Sequence, residues 1–169
     1  MNRIILAGAS VMALATAAPA FGQATVPAAC TGVPGNCSII DSTGSGNIAD
    51  VDQTGGTGNV SDILQDGDGM TADVTQGADG NISNITQDPS GAGATGFSAT
   101  VTQSGGADSI VEQTGIGANV NGFDAIVEQD GASASDILQV GDNDDTANML
   151  ASVSQTGDGH SSIVTQSSE

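Results

Sequence analysis

The sequence predicts an all-β protein: a β-solenoid of about five two-stranded coils, with ten short strands. The first observation is a row of ten glutamines, Gln53, Gln65, Gln76, Gln87, Gln103, Gln113, Gln129, Gln139, Gln155 and Gln166. The second is the Val or Ile that stands two residues before each: Val51, Ile63, Val74, Ile85, Val101, Val111, Val127, Ile137, Val153 and Val164. The third is a small residue four before each, alternating Ala and Ser: Ala49, Ser61, Ala72, Ser83, Ala99, Ser109, Ala125, Ser135, Ala151 and Ser162. Strand side chains point to opposite faces with period two, so the three residues share one face. The alternation of Ala with Ser implies two kinds of strand, hence two strands per coil.

Residues 1–22 read as a secretory signal. Met1-Asn2-Arg3 is a short positive start, Ile4 to Ala18 is uncharged, and Ala18-Pro19-Ala20 or Ala20-Phe21-Gly22 offers small residues for cleavage. The apolar run is short for a membrane span. Residues 23–46 form a lead segment that holds Cys30 and Cys37 around the turn signal Pro34-Gly35-Asn36. In an exported chain this pair reads as one local disulfide outside the repeats.

The repeat region spans 47–169. Its expected strands are 47–53, 59–65, 70–76, 81–87, 97–103, 107–113, 123–129, 133–139, 149–155 and 160–166. Gly55, Gly67, Gly105, Gly115, Gly131, Gly141 and Gly157 each follow a glutamine by two residues, where a turn needs the positive φ that glycine supplies. Beyond Gln87 the glutamine spacing runs 16, 10, 16, 10, 16 and then 11 (before that 12, 11, 11), so three turns are longer than the rest. Six residues before each glutamine the position is looser. It holds Asn47, Met70, Phe97, Phe123 and Met149 on one kind of strand, and Asn59, Asn81, Ala107, Ser133 and His160 on the other. Only Ser167-Ser168-Glu169 follow Gln166, which leaves a terminal strand edge without an evident cap, and such an edge is a template for another chain.

Composition narrows the function. The chain has 169 residues, with 25 Gly, three Phe and no Trp or Tyr, so a core of large side chains is not expected. Twenty acids face one basic residue, Arg3; without the signal the formal charge is −19 − 1 = −20. A chain with no Lys or Arg lacks the means to bind nucleic-acid phosphates or an anionic membrane. Neither catalysis nor a cofactor is expected: His160 is the only His and stands at a ladder position. Four zinc ligands are lacking, and the acidic turns Asp66-Gly67-Asp68-Gly69 and Asp142-Asn143-Asp144-Asp145 complete no calcium-loop template. In the predicted register Asp50 comes beside Asp73 in the next coil, a like-charge pair.

The spacing resembles the curlin repeat, S-x5-Q-x-G-x2-N-x-A-x3-Q, found in the subunits of curli-type bacterial amyloid fibres. Asn59-x5-Gln65-x-Gly67-x2-Met70-x-Ala72-x3-Gln76 follows it, as does Met149-x5-Gln155-x-Gly157-x2-His160-x-Ser162-x3-Gln166. The resemblance covers about 47–166; Phe97, Phe123 and Met149 stand where the family places Ser or Asn. It implies amyloid-like stacking, secretion to the bacterial cell surface through an outer-membrane channel, a nucleating subunit as partner, and a role in biofilm matrix and adhesion. The alternative is a secreted β-solenoid that binds ice or calcium. An ice-binding face would need ordered Thr-x-Thr rows, and the predicted outer face offers only Thr100 with Thr102.

Overall fold

The computed structural model describes residues 23–91, 93–142 and 148–168; the expected signal lies outside them. The fold is a β-solenoid. A 3-10 turn, Ala28–Cys30, precedes eleven strands: β1 Cys37–Thr43, β2 Ile48–Thr54, β3 Val60–Asp66, β4 Thr71–Gly77, β5 Ile82–Asp88, β6 Ser98–Ser104, β7 Asp108–Gly115, β8 Asp124–Asp130, β9 Ala134–Gly141, β10 Leu150–Thr156 and β11 Ser161–Ser168. Odd strands form one parallel sheet in the order β1-β3-β5-β7-β9-β11, and even strands a second, β2-β4-β6-β8-β10. We call them the odd and even sheets. Each coil is one strand of each.

Pairing places like on like. Ala49 registers with Ala72, Val51 with Val74 and Gln53 with Gln76, and this continues to β10. The odd sheet stacks Ser61 on Ser83, Ile63 on Ile85 and Gln65 on Gln87 in the same way. A slip of one residue would turn every apolar side chain outward, so the Val/Ile rows fix the register. Between the sheets lies a thin core of Ile63, Val74, Ile85, Val101, Val111, Val127, Ile137 and Val153 with the Ala row. The small residues let the sheets approach, which is how a chain so poor in large side chains still closes a buried interior.

Strand β1 lies inside the segment read as a lead, so the repeat begins ten residues earlier than the expected 47, at Cys37. Ser38 registers with Ser61 and Ile40 with Ile63, while Ser42 faces Gln65. The pattern is intact except that Ser replaces Gln, which hid the strand from a search for glutamines. Asn36 takes the place six before Ser42, and its Oδ1 accepts from the Asn59 backbone N–H at 3.1 Å.

The three long connections fall at one corner of the solenoid, after β5, β7 and β9. They create room for a second apolar cluster, Met70, Ala94, Phe97, Val120 and Phe123, with Met149 partly buried against it. The rings of Phe97 and Phe123 stack with centroids 4.6 Å apart and planes 7° from parallel, a contact that contributes about 0.5–1.5 kcal/mol beyond burial.

Candidate assembly surface

The glutamines form two continuous rows. In the even sheet Nε2 of Gln53 donates to Oε1 of Gln76 (2.9 Å), Gln76 to Gln103 (3.0 Å), Gln103 to Gln129 (3.1 Å) and Gln129 to Gln155 (3.0 Å). In the odd sheet Gln65 donates to Gln87 (3.0 Å), Gln87 to Gln113 (2.8 Å), Gln113 to Gln139 (2.8 Å) and Gln139 to Gln166 (2.8 Å). The second N–H of the same amide crosses to the other sheet. Gln76 donates to the Val60 carbonyl (3.0 Å), Gln87 to Thr71 (3.0 Å) and Gln113 to Ser98 (2.9 Å). A carbonyl cannot donate, so these contacts fix which end of each amide is nitrogen. The rows therefore have a direction. N–H groups point toward the C-terminal coil and Oε1 toward the N-terminal coil.

At the N-terminal end the odd row is broken. Ser42 stands below Gln65, whose buried Oε1 has no hydrogen-bond partner. The buried hydroxyls of Ser61, Ser83, Ser109 and Ser135 likewise have none. The end coils are open. Ile40 belongs to the core row yet is 48% exposed, while Ile63 beside it is 0% exposed. Val51 and Val164 are only partly buried, and Gln53, Gln155 and Gln166 are half-buried where the inner glutamines are buried.

His160 occupies its ladder position at the last coil but is exposed, so the inward burial expected of it does not occur; Asn59, Asn81, Ala107 and Ser133 at that position are buried. His160, Asp108 and Ser133 border one shallow depression, where Ser133 Oγ donates to the Gly131 carbonyl at 3.4 Å. Among the described residues no three His, Cys, Asp or Glu side chains are placed to share a metal ion.

Five of the seven expected turn glycines, Gly55, Gly67, Gly105, Gly131 and Gly157, have positive φ. Gly115 and Gly141 do not. They end β7 and β9, and a Cβ there would lie 2.8 Å from Phe97 Cζ and 2.7 Å from Phe123 Cζ respectively. They are glycine because the aromatic cluster takes their side-chain space.

Cys30 and Cys37 are joined in a disulfide. Cys37 opens β1, so the bridge is anchored on the repeat itself, not outside it. The segment before Cys30 crosses the outer face of the odd sheet. Ala24 and Cys30 are buried, the Asn84 amide on β5 donates to the Thr25 carbonyl at 3.3 Å, and Gln23 hydrogen-bonds Asp108 on β7. Burial holds the carboxyls of Asp108 and Asp62 above their usual value; the Gln23 contact partly offsets this for Asp108.

The acids rarely meet one another. Asp50 and Asp73 are register partners as expected, but Asp62 faces Asn84, Glu112 faces Leu138 and Glu128 faces Ser154. Several accept hydrogen bonds from the preceding coil. Thr43 Oγ1 donates to Asp66 at 2.6 Å, Ser104 Oγ to Asp130 at 2.7 Å, and the Ser45 backbone N–H and hydroxyl to Asp68 at 2.6 and 2.9 Å. The two Ser45 hydrogen bonds, backbone first, hold the Asp68 carboxyl below its usual value. No helix among the described residues is long and apolar enough to cross a membrane.

No protein-family model, curated protein or solved structure matches the chain.

Proposed function

We propose that the chain is a secreted structural subunit of curli-like functional amyloid fibres at a bacterial cell surface, serving biofilm matrix, adhesion and aggregation. The observation that carries the reading is the pair of open end coils, where Ile40 of the core row is 48% exposed and both amide rows run out. An exposed strand edge with matching side-chain rows is the template on which another copy adds. The spacing shared with the curlin repeat supports the same reading. It brings with it a nucleating subunit and an outer-membrane secretion channel as partners, and a structural role without catalysis. The test is electron microscopy and fibre diffraction of the purified chain incubated over days. Fibres with a meridional spacing of about 4.7–4.8 Å are expected. A chain that stays monomeric at high concentration without that reflection rejects the reading.

A further inference from the structure

The described strands number eleven, six in the odd sheet and five in the even sheet. Both ends of the solenoid are therefore uneven. At the N-terminal end the outermost strand is β1, and at the C-terminal end it is β11, both of the odd sheet. If a second copy were stacked in the same orientation, its β1 would sit on β11. The even sheet would then hold β10 below and β2 above with one strand level vacant between them. The facing backbone groups of β10 and β2 would go unpaired, and groups lost from water without a partner are costly.

We propose that successive chains in the fibre are related by a half-turn about the fibre axis, so that β1 of the incoming copy pairs with β10 and its β2 pairs with β11. This deepens the fibre reading and rests on it. The half-turn exchanges the two sheets and reverses strand direction, so both new pairs stay parallel and no level is vacant. The side chains agree with it. Extending the internal register places Ala151, Val153 and Gln155 against Ser38, Ile40 and Ser42. It also places Ser162, Val164 and Gln166 against Ala49, Val51 and Gln53. Each inward triplet meets small on small, apolar on apolar and polar on polar. Ile40 of the incoming copy comes to lie over Val153 and loses its exposure. The amide direction agrees as well. Gln166 would carry its N–H toward the Oε1 of Gln53, continuing a row in which every internal step runs the same way. On the outer face Asp41 meets Ser154, Asp50 meets Ile163 and Asp52 meets Thr165, so the junction sets no acid against an acid.

A consequence is that the Ala and Ser rows swap sheets at every junction, and the fibre repeats after two chains instead of one. Helical reconstruction of fibres grown from the purified chain tests this. The expected result is a rotation near 180° per subunit and a rise of five and a half strand spacings, about 26 Å. Copies in the same orientation, with a rise of six spacings or about 29 Å, overturn the half-turn and leave the fibre reading standing. An absence of cross-β fibres removes both. Independently, fibres co-assembled from Thr165→Cys and Asp52→Cys chains should cross-link on mild oxidation, since neighbouring parallel strands bring Cα atoms within disulfide reach. Cross-linking of Thr165→Cys to Asp41→Cys in its place overturns the proposal.

Discussion

Each inward residue has a distinct duty. Val111 is fully buried in the Val/Ile row. Val111→Asp puts an unpaired carboxylate there at a cost of several kcal/mol or more, and loss of strand content by circular dichroism is expected. Gln113 holds three contacts: it donates to Ser98 and Gln139 and accepts from Gln87. Gln113→Leu keeps the volume but leaves these partners unsatisfied, at about 1–3 kcal/mol for the group. It should lower the denaturation midpoint and slow seeded elongation while strand content persists. Equal and negligible effects from the two changes would falsify the duties given to the rows. Gly115→Ala is the third case. The added methyl meets Phe97 Cζ at 2.8 Å and Val120 Cβ at 3.2 Å, and neither can withdraw without disturbing the aromatic stack. Overpacking of this kind costs about 1–3 kcal/mol, whereas Gly55→Ala, with nothing nearer than 3.9 Å, meets only the backbone strain of positive φ. Thermal unfolding of the pair separates space from dihedral.

At the scale of elements, the ten strands from β2 to β11 were legible because three residue types recur at fixed offsets on one face. β1 escaped because its glutamine is Ser42; Ser38, Ile40 and Asn36 at the same offsets were the signal that would have found it. Gly115 and Gly141 look identical to turn glycines in sequence, and only the placement of Phe97 and Phe123 tells them apart. The course of residues 23–36 over the odd sheet was not legible, since it carries no period and its contacts with Asn84 and Asp108 join residues remote in sequence. The disulfide ties this arm to β1. By loop closure it contributes about 2–3 kcal/mol for so short a loop, localised at the first coil. The Cys30→Ser/Cys37→Ser chain is therefore expected to keep its solenoid and its fibres, with faster amide exchange confined to β1 and the arm. Failure to fibrillate would show that the arm belongs to the assembling core.

At the scale of the whole molecule, 20 acids with no Lys or Arg after Arg3 oppose any association of copies. Among the register pairs of the described strands only Asp50 with Asp73 sets acid on acid, so much of the remaining penalty is long-range and screenable. Asp62 and Asp108, raised by burial, bind protons more readily in the folded chain. Their stability deficit thus grows as pH rises from 3.8 through the raised values, and is relieved on acidification. Asp68 runs the other way. Its contribution is present above 3.8 and is lost as pH falls through the lowered value, but it is fully exposed and weak. Seeded elongation should accelerate from neutral pH toward about pH 4–5 and with added salt. Rates flat in both variables, or fastest at high pH and low salt, contradict this. Folding meets a different difficulty. Most rungs are interchangeable, and a chain that laid β6 on β2, one coil out of place, would still match every Ala, Val and Gln. It would also set Phe97 over Asn47, the place that Met70 holds in the native register. The Met70, Phe97, Phe123 and Met149 column is thus the index mark on an otherwise uniform ruler, and without it the chain could not count its own coils.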